Sequence, residues 1–545
     1  MSLPAFLLVA ATAVQVVGPL FSYSERWRQL LWLVIPALLG WQLSHDSLLL
    51  SMVPVYLLLV VTLLSFGYRS YRSWRGKPVG RRYWLKVVAA LLSLPFLAVP
   101  ILEATLIPFG AEDYRDESWA EAFEGLHTTL RQRYAFGEWK RINWDALHTE
   151  HQPNVVAAER SGDERAYYVA LREYIYNLPD GHVSIYGDVH DEAERAAIGG
   201  GFGFAVLQLD DGRVITHILR ANGPAADAGI AWGAEILEWN SQLIREAVQA
   251  VSTLWASRPP ATLQNVSLAQ HQLLTRAPIG AERTVTFRNP GESETRKVTL
   301  TAHDDRYWTL ERSVYGQPAP SEAVEFRVLK GGIGHLKVAA LEPSPKIPDP
   351  VEAVEQAVQH VLEENVQALI IDVRGNRGGL DTMVPTMMSY FTPGRLHYED
   401  IAYYNTWVNT LTLASLYVRP NDQQFTKPVT VLIDHRTKST GEGFGLVAKA
   451  LPNANVVGMR GTDGSFGMVS ASVSLPTGIE VAYPWGQSLG QNGVVQLDSN
   501  HLLEGGVQPD LLVPLTFERA KAIYLDGDDV VLGFARDLLQ KRLAD

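Results

Sequence analysis

The uneven distribution of apolar residues along the chain constrains its fold more than any other feature. Residues 1 to about 110 are strongly apolar, with uncharged runs of 20 and 22 residues at positions 3–22 and 47–68. Each run is long enough to cross the hydrocarbon core of a bilayer as a helix. Shorter uncharged runs lie at positions 29–44 and 87–102. The pattern predicts a membrane region of about four transmembrane helices over residues 1–110, with a lipid bilayer as partner.

The charges between these runs predict how the chain would be oriented. The segment at positions 68–86 carries seven basic residues and no acidic one. By the positive-inside rule it belongs in the cytoplasm, so residues after about 110 are expected on the extracytoplasmic side. This predicts a multi-pass protein of the cell or inner membrane. A cleaved signal peptide is the alternative for the first run, but the start MSLPAF has no basic residue.

Composition excludes several classes of function. The formal net charge is -12 and the pI is about 5.7, which argues against a nucleic-acid partner. The absence of cysteine excludes disulfides, thiolate metal sites and a cysteine nucleophile. The 14 histidines form no HExxH or comparable ligand motif, so neither a metal nor another cofactor is predicted. The oligomeric state stays open.

Periodicity divides the part after residue 110 into regions of different structure. Three-to-four spacing of apolar residues predicts helices, and alternation with turn residues predicts strands. Further along, strands alternate with helices, which is typical of an α/β core with substantially parallel strands. The predicted regions are a helical cap at 111–195, a β-rich module at 196–255, a connecting region at 256–320, an α/β core at 321–520 and a C-terminal helix at 521–545.

Ser439 is the strongest candidate for a chemical role. The segment VTVLIDHRTKSTGEGFGLVAKAL places it between a buried strand and a helix. A hydroxyl there is exposed at the carboxyl end of the strand, and the amides of Thr440 and Gly441 can point into the same space. The alternative is a structural role for Ser439 as helix N-cap, with Glu442 completing a capping box.

A hydroxyl nucleophile needs a base and oxyanion donors, and two other segments offer them. His182 lies in the turn LPDGHVSIYG, where its ring is free to face a cleft. Gly378 and Gly379 lie in DVRGNRGGLD after a predicted strand, where unobstructed amides are available. An ordinary polar loop residue and a tight turn are the respective alternatives.

Four segments in fixed order resemble the C-terminal processing (tail-specific) and tricorn core family of serine peptidases. LPDGHVSIYG is similar to that family's L-x-D-x-H turn, and ALIIDVRGNRGG to its strand and Gly-Gly turn. KSTGEGF resembles its S-A-S-x-E nucleophile segment, and LLEGGVQPDLLV its E-x-x-G-V-x-P-D ending. The resemblance covers roughly residues 115–515. It implies a serine endopeptidase fold with a peptide or protein substrate.

The resemblance also implies a catalytic set. Ser439 would be the nucleophile, with oxyanion amides from Thr440 and from Gly378 or Gly379. The tail-specific branch uses a lysine about 25 residues after the serine, but no lysine occurs between Lys449 and Lys521. The chain therefore looks closer to the histidine-using tricorn-like branch.

In that branch a histidine ahead of the PDZ module is the base, and a glutamate near the end of the core takes part. His182 and Glu504 match those positions. The tricorn pattern has a serine just before the histidine, where this chain has Gly181, so the link to the glutamate can differ here. Ser465 or Asp463 are alternative sources of polar contacts.

The module at 196–255 looks like the PDZ domain that the family places between cap and core. Its GGGFGF stretch is similar to a carboxylate-binding loop, which predicts peptide binding at Gly201, Phe202, Gly203 and Phe204. The alternative is a module that only packs on the core or gates access.

Taken together, the expected function is a membrane-anchored serine endopeptidase acting on extracytoplasmic peptides or protein tails. The alternative is a catalytically inactive, membrane-tethered peptide-binding protein.

Overall fold

A computed structural model describes residues 112–315, 324–341, 350–405, 409–469 and 471–544. Its α-helices are α1 (Trp119–Arg133), α2 (Trp144–Ser161), α3 (Glu164–Ile175), α4 (His190–Ile198), α5 (Pro224–Asp227), α6 (Ile244–Gln249), α7 (Leu263–Leu274), α8 (Trp308–Tyr315), α9 (Pro350–Glu363), α10 (Met383–Met388), α11 (Thr440–Lys449), α12 (Phe517–Lys521) and α13 (Val530–Ala544). A 3-10 turn at Pro476–Gly478 and a π-helical turn at Ala522–Asp526 complete the helical elements of these residues.

The strands of the described residues form several sheets that join distant parts of the chain. They are β1 (Glu112–Asp113), β2 (Ser184–Tyr186), β3 (Gly200–Gly201), β4 (Phe204–Gln208), β5 (Val214–Leu219), β6 (Glu235–Trp239), β7 (Gln242–Leu243), β8 (Arg276–Ala277), β9 (Glu282–Arg288), β10 (Arg296–Thr301), β11 (His303–Asp304), β12 (Val324–Leu329), β13 (Ile333–Val338), β14 (Ala368–Asp372), β15 (Leu396–Asn405), β16 (Asn409–Val418), β17 (Val429–Leu432), β18 (Ala454–Gly458), β19 (Ala471–Leu475), β20 (Ile479–Tyr483), β21 (Gly486–Leu489) and β22 (Leu511–Leu512).

Local signals in the sequence account for the boundaries of the first helices. α1 begins with a capping box in which the side chains of Ser118 and Glu121 each accept a backbone N–H of the other. α2 is capped by Asn143 and ends at Gly162, whose φ of 66° suits a glycine at a helix C-terminus. Asp163 then caps α3. The buried faces of these helices form one apolar cluster around aromatic side chains such as Phe123.

A small sheet attaches this helical cap to the rest of the chain. Its strand order is β1-β19-β20-β2, so strands from the beginning and the end of the described chain lie side by side. β2 follows the turn of His182 almost directly and pairs antiparallel with β20. The position of that turn is therefore set by a strand that lies some 300 residues later.

An antiparallel sheet of order β10-β9-β6-β5-β4 forms the middle module, and β7 pairs with β6. Apolar side chains including Phe204, Trp239 and Phe287 make up its core. The Gly223–Pro224 pair begins α5, since proline is accommodated in the first turn of a helix. The sheet continues to Thr301 and so crosses the boundary that the sequence pattern suggested at residue 255.

The largest α/β sheet has the order β12-β13-β14-β17-β18-β22, and all its pairs are parallel except that of the edge strand β12. The predicted α/β core is thereby confirmed. In the register of the two central strands, Asp372 at the end of β14 is opposite Leu432 at the end of β17. Because parallel strands end at the same edge, the turns that follow β14 and β17 lie next to each other.

Helices cover this core sheet on both faces. One apolar cluster joins one face to residues of α9, α10 and α11, and a second joins the other face to α13. A three-stranded sheet of order β16-β15-β21 extends from the core. The core sheet is thus buried on both faces, which explains why its strands read as continuous apolar runs.

The membrane part of the predicted fold class needs correction. No helix within the described ranges is long and apolar enough to cross a membrane. This finding contradicts the predicted fold with transmembrane helices and the predicted multi-pass membrane location, and we withdraw both, together with the lipid bilayer as partner. The four stretches predicted as spans lie within residues 1–111, outside the described residues.

Candidate active site

Ser439 occupies a strained position at the start of α11. It follows the loop after β17 and is the N-cap residue of the helix, with φ 55° and ψ -140°. A non-glycine residue in this sparsely populated region costs about 1–3 kcal/mol. Its side chain makes no capping hydrogen bond. The hydroxyl is therefore not used in helix capping, as expected at the sharp strand-to-helix turn of a nucleophile.

Glu442 does not form the capping box that the sequence allowed. Its buried carboxylate instead accepts hydrogen bonds from Thr462 Oγ1 at 2.5 Å and from the amides of Gly464 and Ser465, both at 3.1 Å. Burial, followed by the nearby charge of Asp463, raises the pKa of Glu442 to about 8. The side chain thus anchors the loop 462–465 under the first turn of α11.

The glycine turn after β14 lies directly against Ser439. A Cβ on Gly378 would be 2.6 Å from the Ser439 Cβ and 3.0 Å from both Ser439 Oγ and Thr440 N. No side chain fits there, so the glycine permits the turn to pack closely against the Ser439 hydroxyl and the Thr440 amide. The Thr440 amide is in the first turn of α11, where N–H groups lack intrahelical partners and favour negative charge. The arrangement suits a tetrahedral oxyanion.

The two glycines of this turn differ in what their amides do. Gly378 donates its N–H to Asn376 Oδ1 at 2.8 Å, so this amide is committed to holding the turn. The Asn376 side chain in turn donates to the carbonyl of Val338 at 3.0 Å. For the Gly379 amide, no acceptor is found in the described part of the chain. Of the pair, the Gly379 amide is the one available to a ligand.

His182 is buried in its turn beside Asp180. The backbone amide of His182 donates to Asp180 Oδ1 at 2.8 Å, and the Tyr134 hydroxyl donates to Asp180 Oδ2 at 2.9 Å. His182 Nδ1 is 3.8 Å from Asp180 Oδ1, which is longer than a hydrogen bond. That nitrogen is buried and has no hydrogen-bond partner among the described residues. Burial, followed by the positive charge of Lys438, lowers the pKa of His182 to about 3, so its imidazole is neutral at pH 7.

Three hydrogen bonds hold the histidine turn against the serine. Gly181 donates its amide to Ser465 Oγ at 2.8 Å, and Ser439 donates its amide to the carbonyl of Ser465 at 2.9 Å. Lys438 Nζ donates to the carbonyl of Gly181 at 2.9 Å. Ser465 thus joins the two segments, and the residues adjacent to His182 and Ser439 are bound directly to each other. The segments that carry the two residues singled out in the sequence are therefore adjacent.

Glu504 lies elsewhere in its own turn. Its carboxylate accepts from Asn500 Nδ2 at 3.2 Å, and its amide donates to Asn500 Oδ1 at 3.2 Å. Both contacts are local and exposed, and within the described part of the chain Glu504 makes no hydrogen bond to His182 or Ser439. The acid that lies beside His182 is Asp180. The signal for it was in the sequence, because Asp180 is the acidic residue of the L-x-D-x-H turn.

A buried ionic group next to this turn was also missed by sequence reasoning. Lys140 Nζ donates to the carbonyl of Pro179 at 2.9 Å and to Ser499 Oγ at 2.8 Å. Asp498 accepts from the amide of Phe466 at 3.0 Å, and burial raises its pKa well above the usual range. These contacts link the cap, the histidine turn and the end of the core. No local pattern marks a single lysine of the cap for such a role.

The match to a known family decides the class of the core. Residues 332–513 match the model of peptidase family S41. The chain is a serine-type peptidase whose core matches that family over these residues. The matched residues include Ser439, the Gly378–Gly379 turn and the loop of Ser465, whereas His182 lies ahead of them in the cap.

Solved structures show that the likeness extends beyond the S41 core. The structure of mature CPAF complexed with lactacystin has a TM-score of 0.53 and 17% identity, over 78% of this chain and 98% of that one. Mature CPAF has a TM-score of 0.52 and 18% identity, over 76% of this chain and 99% of that one. The tricorn protease has a TM-score of 0.35 and 15% identity, over 79% of this chain and 37% of that one. At these identities the CPAF likeness concerns the fold alone.

The expected peptide-binding loop of this serine-type peptidase is covered by neighbouring segments of its own chain. Gly201, Phe202, Gly203 and Phe204 are all buried. β3, which includes Gly201, is the middle strand between β11 and β8. The carbonyls of Phe202 and Gly203 accept hydrogen bonds from the amides of Ala225 and Arg220. These contacts leave the loop no exposed face in this conformation.

Proposed function

We propose that this S41-type peptidase cleaves peptide bonds through an acyl-Ser439 intermediate. Ser439 Oγ attacks the carbonyl carbon of the scissile bond while His182 takes the hydroxyl proton. His182 then gives that proton to the departing amine, and the acyl group remains on Ser439. A water molecule attacks the ester, again with His182 as base. The acid product leaves, and His182 returns the proton to Ser439 Oγ.

The hydrogen-bonded frame of Ser465 is the observation that carries this proposal. Its hydroxyl holds Gly181 and its carbonyl holds Ser439, so the proposed base and nucleophile share one support. A neutral imidazole can accept a proton, and burial keeps His182 neutral far below pH 7. Asp180, 3.8 Å from Nδ1, is the acid best situated to stabilise the imidazolium that forms.

The amides of Thr440 and Gly379 are proposed as the oxyanion donors. The Thr440 amide follows Ser439 directly in the first turn of α11, and the Gly378 turn packs against both, which suits a carbonyl oxygen that acquires negative charge. Gly378 contributes by lacking a side chain, since its own N–H is bound to Asn376. Glu504, with its exposed local contacts, takes no part in the mechanism that we propose.

We prefer the histidine-using branch of the family to the Ser-Lys branch because a lysine base is missing from the expected loop. The loop where the Ser-Lys branch has its lysine carries Asp463 and Ser465 here, and the sequence has no lysine from 450 to 520. The substrate class is a peptide or protein. A preference for chain ends rests on the family resemblance alone.

Labelling with a fluorophosphonate tests the proposal. Such a reagent phosphonylates an activated serine hydroxyl and releases fluoride. The purified full-length chain should be labelled on Ser439, and the label should be located by mass spectrometry of the digest. Ser439→Ala should abolish labelling and hydrolysis of an unfolded protein such as casein. His182→Gln should slow both by about 10²–10⁴-fold, the usual contribution of a general base.

Matched controls separate chemistry from folding. Ser313→Ala removes a serine of α8 whose hydroxyl, among the described residues, binds the carbonyl of Leu310 in the same helix, and it should label as wild type does. Lactacystin, which one of the similar CPAF structures contains, serves as a second probe of the hydroxyl. Equal labelling of wild type and Ser439→Ala, or a wild type that neither labels nor cleaves casein, would sink the proposal.

A further inference from the structure

Lys438 directly precedes the proposed nucleophile, and its ammonium makes a hydrogen bond inside the protein. Its ammonium donates to the carbonyl of Gly181 at 2.9 Å, so it reaches from the core to the histidine turn of the cap. A hydrogen bond from a charged donor is stronger than one between neutral groups. The main chain on either side of the turn is thus held by core residues, at the amide of Gly181 by Ser465 and at its carbonyl by Lys438.

We propose that Lys438 is a positioning residue that fixes the His182 turn against Ser439, with Asp463 as its counter-charge. This inference rests on the proposed roles of Ser439 and His182. It assigns to Lys438 no contact with substrate. Its effect on the reaction passes through the placement and the protonation of His182.

Asp463 is held where it can act as that counter-charge. Asn265 Nδ2 donates to Asp463 Oδ1 at 2.8 Å, which orients the carboxylate. Oδ2 is buried and lies against Gly181. The Gly181 peptide is therefore flanked by the ammonium of Lys438 on its carbonyl and by the carboxylate of Asp463 at its Cα.

The charges around the two groups agree with this role. Burial lowers the pKa of Lys438, and among its charged neighbours Asp463 opposes the shift most strongly, followed by Asp180, while Arg258 and Arg377 reinforce it. Around His182, Lys438 is the charge that lowers the pKa most. Arg258 and Lys140 act in the same direction, and Asp180 acts against them. The charge of Lys438 thus adds to the effect of burial, which lowers the His182 pKa most, while its ammonium holds the turn.

Lys438→Met tests the inference, because methionine keeps most of the length and removes both the charge and the donor. We expect the fluorophosphonate labelling rate and kcat to fall about ten- to a hundredfold, as for the loss of a charged hydrogen bond, with KM little changed. The acidic limb of the pH profile of kcat/KM should move to higher pH, because the imidazole loses a repelling charge. A merely structural role would not move that limb. Lys438→Arg should restore part of the rate.

The control is Lys449→Met at the other end of α11, where the lysine makes an exposed ion pair with Asp510. It should match wild type in rate and pH profile. If Lys438→Met does not fold, as judged by circular dichroism, Asp463→Asn tests the proposed role of Lys438 in its place. Loss of the counter-charge should lower the Lys438 pKa further. The alkaline limb of the pH profile of kcat/KM should therefore move to lower pH.

The outcomes distinguish this inference from the proposed function. A wild type that does not label overturns the proposed function itself. A wild type that labels on Ser439, with Lys438→Met equal to it in rate and pH profile, overturns only the role of Lys438. If Asp463→Asn is the deciding variant, an unchanged alkaline limb has the same meaning.

Discussion

The carboxylate of Asp463 occupies the space that a side chain at Gly181 would need. Its Oδ2 lies closer to the position of a Cβ on Gly181 than a nonbonded contact allows, and Ser465 Oγ is 3.0 Å from the same point. The family pattern that the sequence resembles has a serine here. In this chain the polar group reaches the histidine turn from the core loop at 463–465 instead.

Gly181→Ser should therefore be disruptive although it restores the family residue. The new Cβ must displace Asp463, Ser465 or the turn itself, so we expect labelling of Ser439 to fall at least tenfold. Fluorophosphonate labelling and thermal unfolding measure the two effects. Gly533→Ala on α13, where nothing lies within 4 Å of an added Cβ, is the control and should not be destabilising. A fully active Gly181→Ser enzyme would contradict the packing described.

Gly378→Ala should lower kcat strongly and reduce the stability of the fold to a smaller extent. The added methyl group would lie 2.6 Å from the Ser439 Cβ and must displace Ser439 or the turn from the proposed oxyanion site, which is expected to lower kcat by about a hundredfold or more. Gly375→Ala is the matched control, because it has a positive φ of 76° in the same turn but its nearest neighbour is 3.7 Å away. Equal loss of kcat in both variants would indicate that backbone strain, and not the steric clash with Ser439, causes the loss.

Asp180 and Glu504 should differ sharply when each carboxylate is changed to its amide. Asp180→Asn removes the negative charge next to His182 Nδ1, and we expect kcat to fall at least tenfold with a small change in KM. Glu504→Gln alters an exposed side chain that binds only Asn500, so kcat should stay within about twofold of wild type. Steady-state kinetics on one peptide substrate suffices. The reverse order of effects would restore Glu504 to the mechanism.

The pH profile should reveal that His182 is buried. Because its pKa is lowered to about 3, the free enzyme should keep a neutral base well below the pH at which an ordinary histidine is protonated. The acidic limb of kcat/KM is therefore expected below about pH 5 instead of near 6.5. Measurements with fluorophosphonate, whose own reactivity varies little in this range, avoid substrate titration. A limb at pH 6–7 would contradict a neutral buried imidazole.

Glu442 should make the fold less stable as pH rises. Its folded pKa of about 8 lies above the unfolded value of 4.5, so the folded state holds an extra proton between these values. Its stabilising contribution is complete below about pH 4.5 and is lost as pH approaches 8. Glu442→Gln should remove this dependence. Between pH 5 and pH 8 the free energy of unfolding of the variant should rise, relative to that of the wild type, by an amount on the order of a few kcal/mol.

Urea unfolding at the two pH values measures that change, with the exposed Glu150→Gln as control. The control should follow the pH dependence of the wild type. An identical pH dependence of the wild type and Glu442→Gln would show that Glu442 is ionised in the folded protein at pH 7.

The local elements of the site were predictable from the sequence. Apolar runs with alternating helices predicted a parallel core, and β14, β17 and α11 lie where those patterns suggested. Strands of a parallel sheet end at one edge, so the Gly378 turn and Ser439 could be expected to meet. The capping box of Glu442 was a local alternative that lost to tertiary contacts, since the loop 462–465 offers the carboxylate three donors.

The sequence by itself determined a parallel α/β core, a glycine turn beside a strand-to-helix serine, and a helical cap that carries His182. These follow from backbone preferences and apolar periodicity, which act over a few residues. Only the tertiary structure decided that Lys438 and Ser465 hold the histidine turn to the nucleophile. Those contacts span 257 and 284 positions, and they depend on which surfaces pack together, which no local pattern encodes.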